Sequence, residues 1–119
     1  MKIPGLILMW VMSLALNTAV AMEVQEGEAS YYADSLNGNK TASGAVYDKN
    51  ALTAAHLTLP FGTRVRVTYL KTGKSVEVVI NDRGPHADNR IIDLSGAAAR
   101  DVGMLDDGHG KVKLEVLGP

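Results

Sequence analysis

Charged and apolar residues alternate without a break through Arg64-Val65-Arg66-Val67-Thr68-Tyr69, and this period of two constrains the fold more than any other feature of the chain. Only an extended strand sends every second side chain to the same face, so the segment is a strand with one wet and one buried side. Lys71-Thr72-Gly73-Lys74 then reads as a turn, with Gly73 able to take a positive φ. Val76, Val78 and Ile80 mark the inward side of the returning strand, completing a hairpin. Lys111-Val112-Lys113-Leu114-Glu115-Val116 alternates in the same way, and Glu28-Ala29-Ser30-Tyr31-Tyr32-Ala33 can begin a first strand.

One segment departs from this pattern. Asp93 to Gly103 is rich in alanine, with Ser95 placed to cap the start of a short helix and Gly103 placed to stop it. The chain holds no cysteine, so packing and a fully paired backbone must hold the fold together. Several short strands under those conditions favour a closed barrel, because closure removes exposed edges. The expected architecture is therefore mostly β, a barrel over residues 28–117 with one short helix. The polar stretch Met22 to Gly27 is expected to be a short flexible lead.

The first 21 residues read differently. Lys2 supplies one positive charge, Gly5 to Leu16 is an apolar run, and Ala19-Val20-Ala21 is a small-x-small cleavage pattern. That is the grammar of a secretory signal peptide cut after Ala21. The apolar run is also shorter than the ~20 residues a spanning helix requires. With no cysteine at the junction to carry a lipid, the expectation is a periplasmic or secreted protein without a stable membrane anchor. Removal of Lys2 with the leader takes the basic side chains from 12 to 11, against 13 acidic ones, for a formal charge of −2. Such a balance offers nothing to nucleic acid. The remainder suffices for one domain, expected to act as a monomer.

Few residues invite chemistry. Asp82 stands just after the apolar run Val78-Val79-Ile80, where a strand ends and a Gly-Pro turn begins. There it is either a turn carboxylate capping the amides of Arg83 to Pro85, or an acid/base at a barrel rim, where walls that exclude water help a carboxyl keep a proton. His56 follows Thr53-Ala54-Ala55 and precedes Leu-Pro-Phe-Gly. It is either a half-buried structural histidine or a cleft residue that touches substrate or tunes Asp82. Arg83 can reach substrate, but a brace to Asp93 or to a carbonyl suits it better. Tyr31 or Tyr32 can lie against a sugar ring, and alternation turns only one of the two outward. Asp93 and Ser95 suit loop and cap roles, and Asp106-Asp107-Gly108-His109 is a turn without a partner cluster for a metal. No phosphate-binding glycine loop and no serine or cysteine nucleophile stands out, and no cofactor or metal is expected.

Five segments carry a resemblance. They are Gly27 to Tyr32 (GEASYY), Thr41 to Gly44 (TASG), Leu52 to Thr63 (LTAAHLTLPFGT), Asn81 to Pro85 (NDRGP) and Arg90 to Ser95 (RIIDLS). In these the chain resembles the rare lipoprotein A family, septal-ring lytic transglycosylases, from about Gly27 to Leu117. The resemblance implies a six-stranded double-psi β-barrel. It also implies cleavage of the β-1,4 bond between N-acetylmuramic acid and N-acetylglucosamine in peptidoglycan glycan strands, leaving 1,6-anhydro ends. Family members act on glycan without peptide stems. The family's catalytic Asp falls on Asp82 and its functional His on His56, with Tyr32, Asp48 and Arg83 as candidate substrate contacts.

One departure stands inside the motif. The family usually continues Thr-Ala-Ser-Gly with an active-site Glu, and this chain has Ala45 there. A carboxylate is lost from the cleft, and Asp48, three residues on, either substitutes for it or only supports the loop. His86 stands where the family often carries an apolar or aromatic residue. A non-catalytic, glycan-binding barrel that loosens walls as expansins do is the alternative expectation. Related barrels also occur in barwin-like proteins, so the fold by itself does not settle the activity.

Overall fold

The computed structural model describes residues 23–119; the signal peptide anticipated at residues 1–21 lies outside the described residues. The hairpin forms as its alternation dictates. Strand β3 (Arg64–Tyr69) pairs antiparallel with β4 (Ser75–Asp82), setting Val65 opposite Val78 and Val67 opposite Val76. Those four side chains, with Tyr69 and Ile80, are buried, whereas Arg64, Arg66 and Glu77 face solvent. Gly73 takes φ 74° in the connecting turn, the left-handed conformation that glycine adopts without a Cβ clash.

Strand β6 (His109–Gly118) runs antiparallel to β3 on one side and to β1 (Val24–Tyr31) on the other. Closure comes from two strands that periodicity does not announce, β2 (Thr53–Ala55) and β5 (Arg90–Leu94). β5 lies parallel to β1 and antiparallel to β2, and β2 lies parallel to β4. The ring β1-β5-β2-β4-β3-β6 therefore closes with no open edge. Parallel neighbours cannot be joined by a tight hairpin, and the segment between β1 and β2, residues 32–52, carries most of the site.

The first strand begins earlier than its polar sequence suggests. Val24 to Gly27, expected as part of a flexible lead, are the first half of β1 and pair with Glu115 to Val112 of β6. Their side chains look outward or sit at the rim, so polarity here marks a wet strand face and not a loose tail. Gly27 is needed there because Ile91 packs on it: a Cβ would lie 2.9 Å from Ile91 Cγ2.

The barrel interior is filled by Val65, Val67, Val78, Ile80, Ile92, Leu94, Val112 and Leu114, all fully buried. Each such side chain contributes about 2 kcal/mol by leaving water. Helix α1 (Gly96–Val102) covers the remaining opening with Ala97, Ala98, Ala99 and Val102. Its ends are as expected. Ser95 Oγ accepts from the Ala98 amide at 3.2 Å, and Gly103 at φ 82° donates back to the carbonyls of Ala99 and Arg100. Among the described residues, every buried side-chain nitrogen and oxygen has a hydrogen-bond partner, as a stable interior without disulfides requires.

Candidate active site

The alternation of β4 ends at Ile80, and the next two residues reach the barrel rim. Asp82 is the last residue of the strand, set opposite Ala55 of β2 across an irregularity in the register. Its main-chain carbonyl accepts from the His56 amide at 3.2 Å. Its carboxylate is held from three directions. Oδ1 accepts from the Ala42 amide at 2.8 Å and from the Arg83 amide at 2.9 Å, and Oδ2 accepts from the Tyr32 hydroxyl. The turn-capping contact anticipated for Asp82 thus exists, through Arg83 alone, and occupies only one of its two oxygens.

Around this carboxylate lies a cleft of about 150 Å³ lined by Tyr32, Tyr47, Asn39, Lys40 and Thr41, with Asp82 as its one acid. Roomier recesses exist elsewhere. One of about 410 Å³ borders Glu28 and His109, and one of about 230 Å³ borders α1. In the first, which also holds Asp88, Glu28 and His109 are paired to each other at 2.6 Å.

The loop carrying Thr41 to Tyr47 is pinned by its own backbone. The Ala45 carbonyl accepts from the Thr41 amide at 2.8 Å and from Thr41 Oγ1 at 2.7 Å, and Ser43 donates its amide to the Asn81 carbonyl at 3.3 Å. Ala45 itself is exposed. Tyr47 is buried; its ring stacks on Tyr32 with centroids 4.4 Å apart, and its hydroxyl accepts from the Gly96 amide at 3.0 Å. Burial first, and then the hydrogen bond to Asp82, push the Tyr32 phenol far above its ordinary value. Tyr47 had no distinguishing signal in the sequence beyond lying in the same short loop.

Not every candidate lands where the motif suggests. The ring of His56, only 4% exposed, does not touch the Asp82 carboxylate. Its Nδ1 accepts from the amides of Thr58 and Leu59 at 3.1 and 3.2 Å, so Nε2 carries the proton and donates to Gln25 Oε1 at 3.0 Å. Burial lowers its affinity for a second proton, Glu23 opposing and Arg83 assisting. His56 reaches Asp82 through its main chain instead. Arg83 contacts the neighbouring main chain and ring: Nη1 donates to the His56 carbonyl at 3.2 Å, and its guanidinium lies over the Phe61 ring. Asp93 is not among its hydrogen-bond partners, and Asp93 Oδ1 takes the Ser30 hydroxyl instead.

Asp48 does not line the Asp82 cleft. Its Oδ1 accepts from the Asn50 amide at 2.9 Å, a local turn that supports its own loop. Of the tyrosine pair, Tyr31 packs against the core and donates to the Leu105 carbonyl at 2.6 Å, while Tyr32 faces the cleft. One face of Tyr32 is covered by Tyr47, and its hydroxyl meets the acid. Asp107 in the Asp-Asp-Gly-His turn accepts from Tyr69 at 2.5 Å and from Lys71 at 2.9 Å, stitching that turn to β3.

Two parallel strand pairs closed into one six-stranded ring define a double-psi β-barrel, and Asp82 is the one acid lining its cleft. The chain belongs to the lytic transglycolase family, whose sequence profile matches residues 24–114. It is 57% identical over 96 residues to the probable endolytic peptidoglycan transglycosylase RlpA of Treponema pallidum, covering 81% of this chain and 30% of that protein. The chain spans between 30% and 42% of the length of the first such relatives. Among solved structures it is similar to Streptomyces papain inhibitor, with TM-score 0.64 and 27% identity over 79% of this chain and 94% of that one. It is also similar in fold to the Clavibacter michiganensis expansin, with TM-score 0.61 and 21% identity over 80% of this chain and 50% of that one.

Proposed function

We propose that this barrel is a lytic transglycosylase domain acting on the glycan strands of peptidoglycan, outside the cytoplasmic membrane. The observation that carries the reading is the single carboxyl of Asp82 fixed at the rim of a cleft in a chain of the lytic transglycolase family. Hydrolysis by retention or inversion uses two carboxyl groups across the bond. One carboxyl suffices when the substrate supplies its own nucleophile. Protonated Asp82 gives its proton to the glycosidic oxygen as the C1–O bond breaks, releasing the 4-hydroxyl of N-acetylglucosamine. The 6-hydroxyl of N-acetylmuramic acid then closes on C1, and its proton returns to Asp82. No water is consumed, the product ends in a 1,6-anhydro ring, and the enzyme is restored.

His56 serves this reading as a positioning residue. Its amide holds the Asp82 carbonyl, and its own carbonyl anchors Arg83, the residue after the acid. The test is digestion of peptide-free glycan strands, with products identified by mass spectrometry. Anhydro-ended fragments from the wild type that vanish with Asp82→Asn support the assignment; fragments that persist in Asp82→Asn remove it.

A second reading rests on Ala45, which stands where the resemblance implies an active-site Glu, and on Asp82 being the one acid that lines the cleft. On that reading the barrel binds glycan and loosens the wall without cutting it. Co-sedimentation with purified sacculi in the absence of any anhydro product distinguishes it from the first.

A further inference from the structure

We infer that Tyr32 is the positioning residue for proton transfer at Asp82, an inference that rests on the reading of Asp82 as the acid/base. The two carboxylate oxygens are not equivalent. Oδ1 is committed to two main-chain amides, from Ala42 and Arg83, whereas Oδ2 meets a single protein group, the Tyr32 hydroxyl. A carboxylate oxygen offers two acceptor sites, so Oδ2 keeps one for a substrate oxygen while Tyr32 fixes the other. It is therefore the reactive oxygen. An amide N–H can only donate, but a phenol both donates and accepts. Tyr32 can therefore remain bonded to Oδ2 before and after the proton leaves.

The hydroxyl is also held from behind. Its ring lies on Tyr47 at 4.4 Å with the planes 19° apart, and its main-chain amide donates to the Leu94 carbonyl at 2.9 Å. Tyr47 is 3% exposed and anchored by the Gly96 amide at the start of α1. The stack fixes where the hydroxyl oxygen lies relative to Oδ2. A donor fixed in that way presets the carboxyl plane, and a small misplacement of a reacting group costs large factors in rate. The phenol stays protonated across the neutral range, consistent with its upward shift from burial and from Asp82.

The test compares wild type, Tyr32→Phe and Asp82→Asn on peptide-free glycan strands. It adds amide hydrogen exchange at Ala42, whose N–H reports the carboxylate directly, and at Val67 as a core control. Phe keeps the stack and removes only the hydroxyl. The expected result for Tyr32→Phe is a kcat at least about tenfold lower with KM within about twofold. Ala42 exchange should quicken several-fold, with Val67 unchanged. A kcat within twofold of wild type, or unchanged Ala42 exchange, overturns the proposal. An Asp82→Asn variant that still cleaves overturns the assignment beneath it, and the two failures are separately visible. The exchange measurement decides the positioning role without requiring turnover.

Discussion

The guanidinium of Arg83 lies 4.1 Å from the centroid of the Phe61 ring, while its Nη1 donates to the main-chain carbonyl of His56. One side chain thus ties the loop after β4 to the loop after β2, immediately beside the acid. A cation over an aromatic face contributes about 1 kcal/mol when partly exposed, and a charged donor to a carbonyl adds a similar amount. Arg83→Met keeps the apolar stem and loses both contacts. Its urea midpoint should correspond to a loss of about 1–2 kcal/mol, with glycan cleavage reduced more than glycan binding. A variant as stable and as active as wild type would show that the brace contributes nothing.

His56 gives the barrel a pH dependence of definite sign. Burial lowers its folded pKa below the ordinary histidine value of about 6.5, so the unfolded chain takes up a proton more readily than the folded one. The stability from this group is fully present above about pH 6.5 and is lost as pH falls through the lower folded value. Denaturation midpoints should therefore drop on going from pH 7 to pH 5. His56→Gln should be less stable at pH 7, through loss of an acceptor for Thr58 and Leu59, yet show a flatter profile over that window. An identical slope in the variant would assign the effect to other groups.

The hairpin and the last strand were legible because each has one face in water, so polarity alternates with the pleat. β2 and β5 were not. β2 is three residues long, two of them alanine, too short to display a period, and β5 owes its place to partners on β1 and β2 that are remote in sequence. Val24 to Gly27 misled for the opposite reason: a strand half whose side chains are wet resembles a tail. At the site, Asp82 was visible as an acid at a strand end. Its bond to Tyr32 spans 50 residues and its bond to Ala42 spans 40, and only closure of the barrel brings them together. The ring direction of His56 depends on amides of the following turn, which no spacing rule encodes.

Ser95 shows how much one small buried side chain can carry. It is fully buried, accepts from the Ala98 amide at 3.2 Å and donates to the Ala51 carbonyl at 2.6 Å. It thereby starts α1 and anchors the segment leading into β2. Ser95→Ala removes a cap and the donor to the part-buried Ala51 carbonyl, at a cost of about 2 kcal/mol. Because Gly96 follows it and holds Tyr47, cleavage should fall along with stability. Thermal unfolding and turnover measured on the same preparation check both.

Ala45 stands where the family resemblance leads one to expect an active-site Glu, and the structure separates its side chain from its scaffolding role. The loop is held by the Ala45 carbonyl and amide, bonded to Thr41 and Ser43, while the methyl group is exposed. Ala45→Glu should therefore leave the denaturation midpoint within about 0.5 kcal/mol of wild type, as exposed substitutions do. It adds a second carboxyl on the loop whose Ala42 amide holds Asp82 Oδ1. If the lost carboxylate limits turnover, the variant should release anhydro-ended fragments from peptide-free glycan at least about tenfold faster, within the range that a positioned acid or base supplies. If wild type already cleaves and Ala45→Glu changes nothing, Asp82 works without a carboxylate neighbour in this barrel. Gain of activity from a silent wild type would mean that the fold and cleft persist here while the chemistry waits on one side chain.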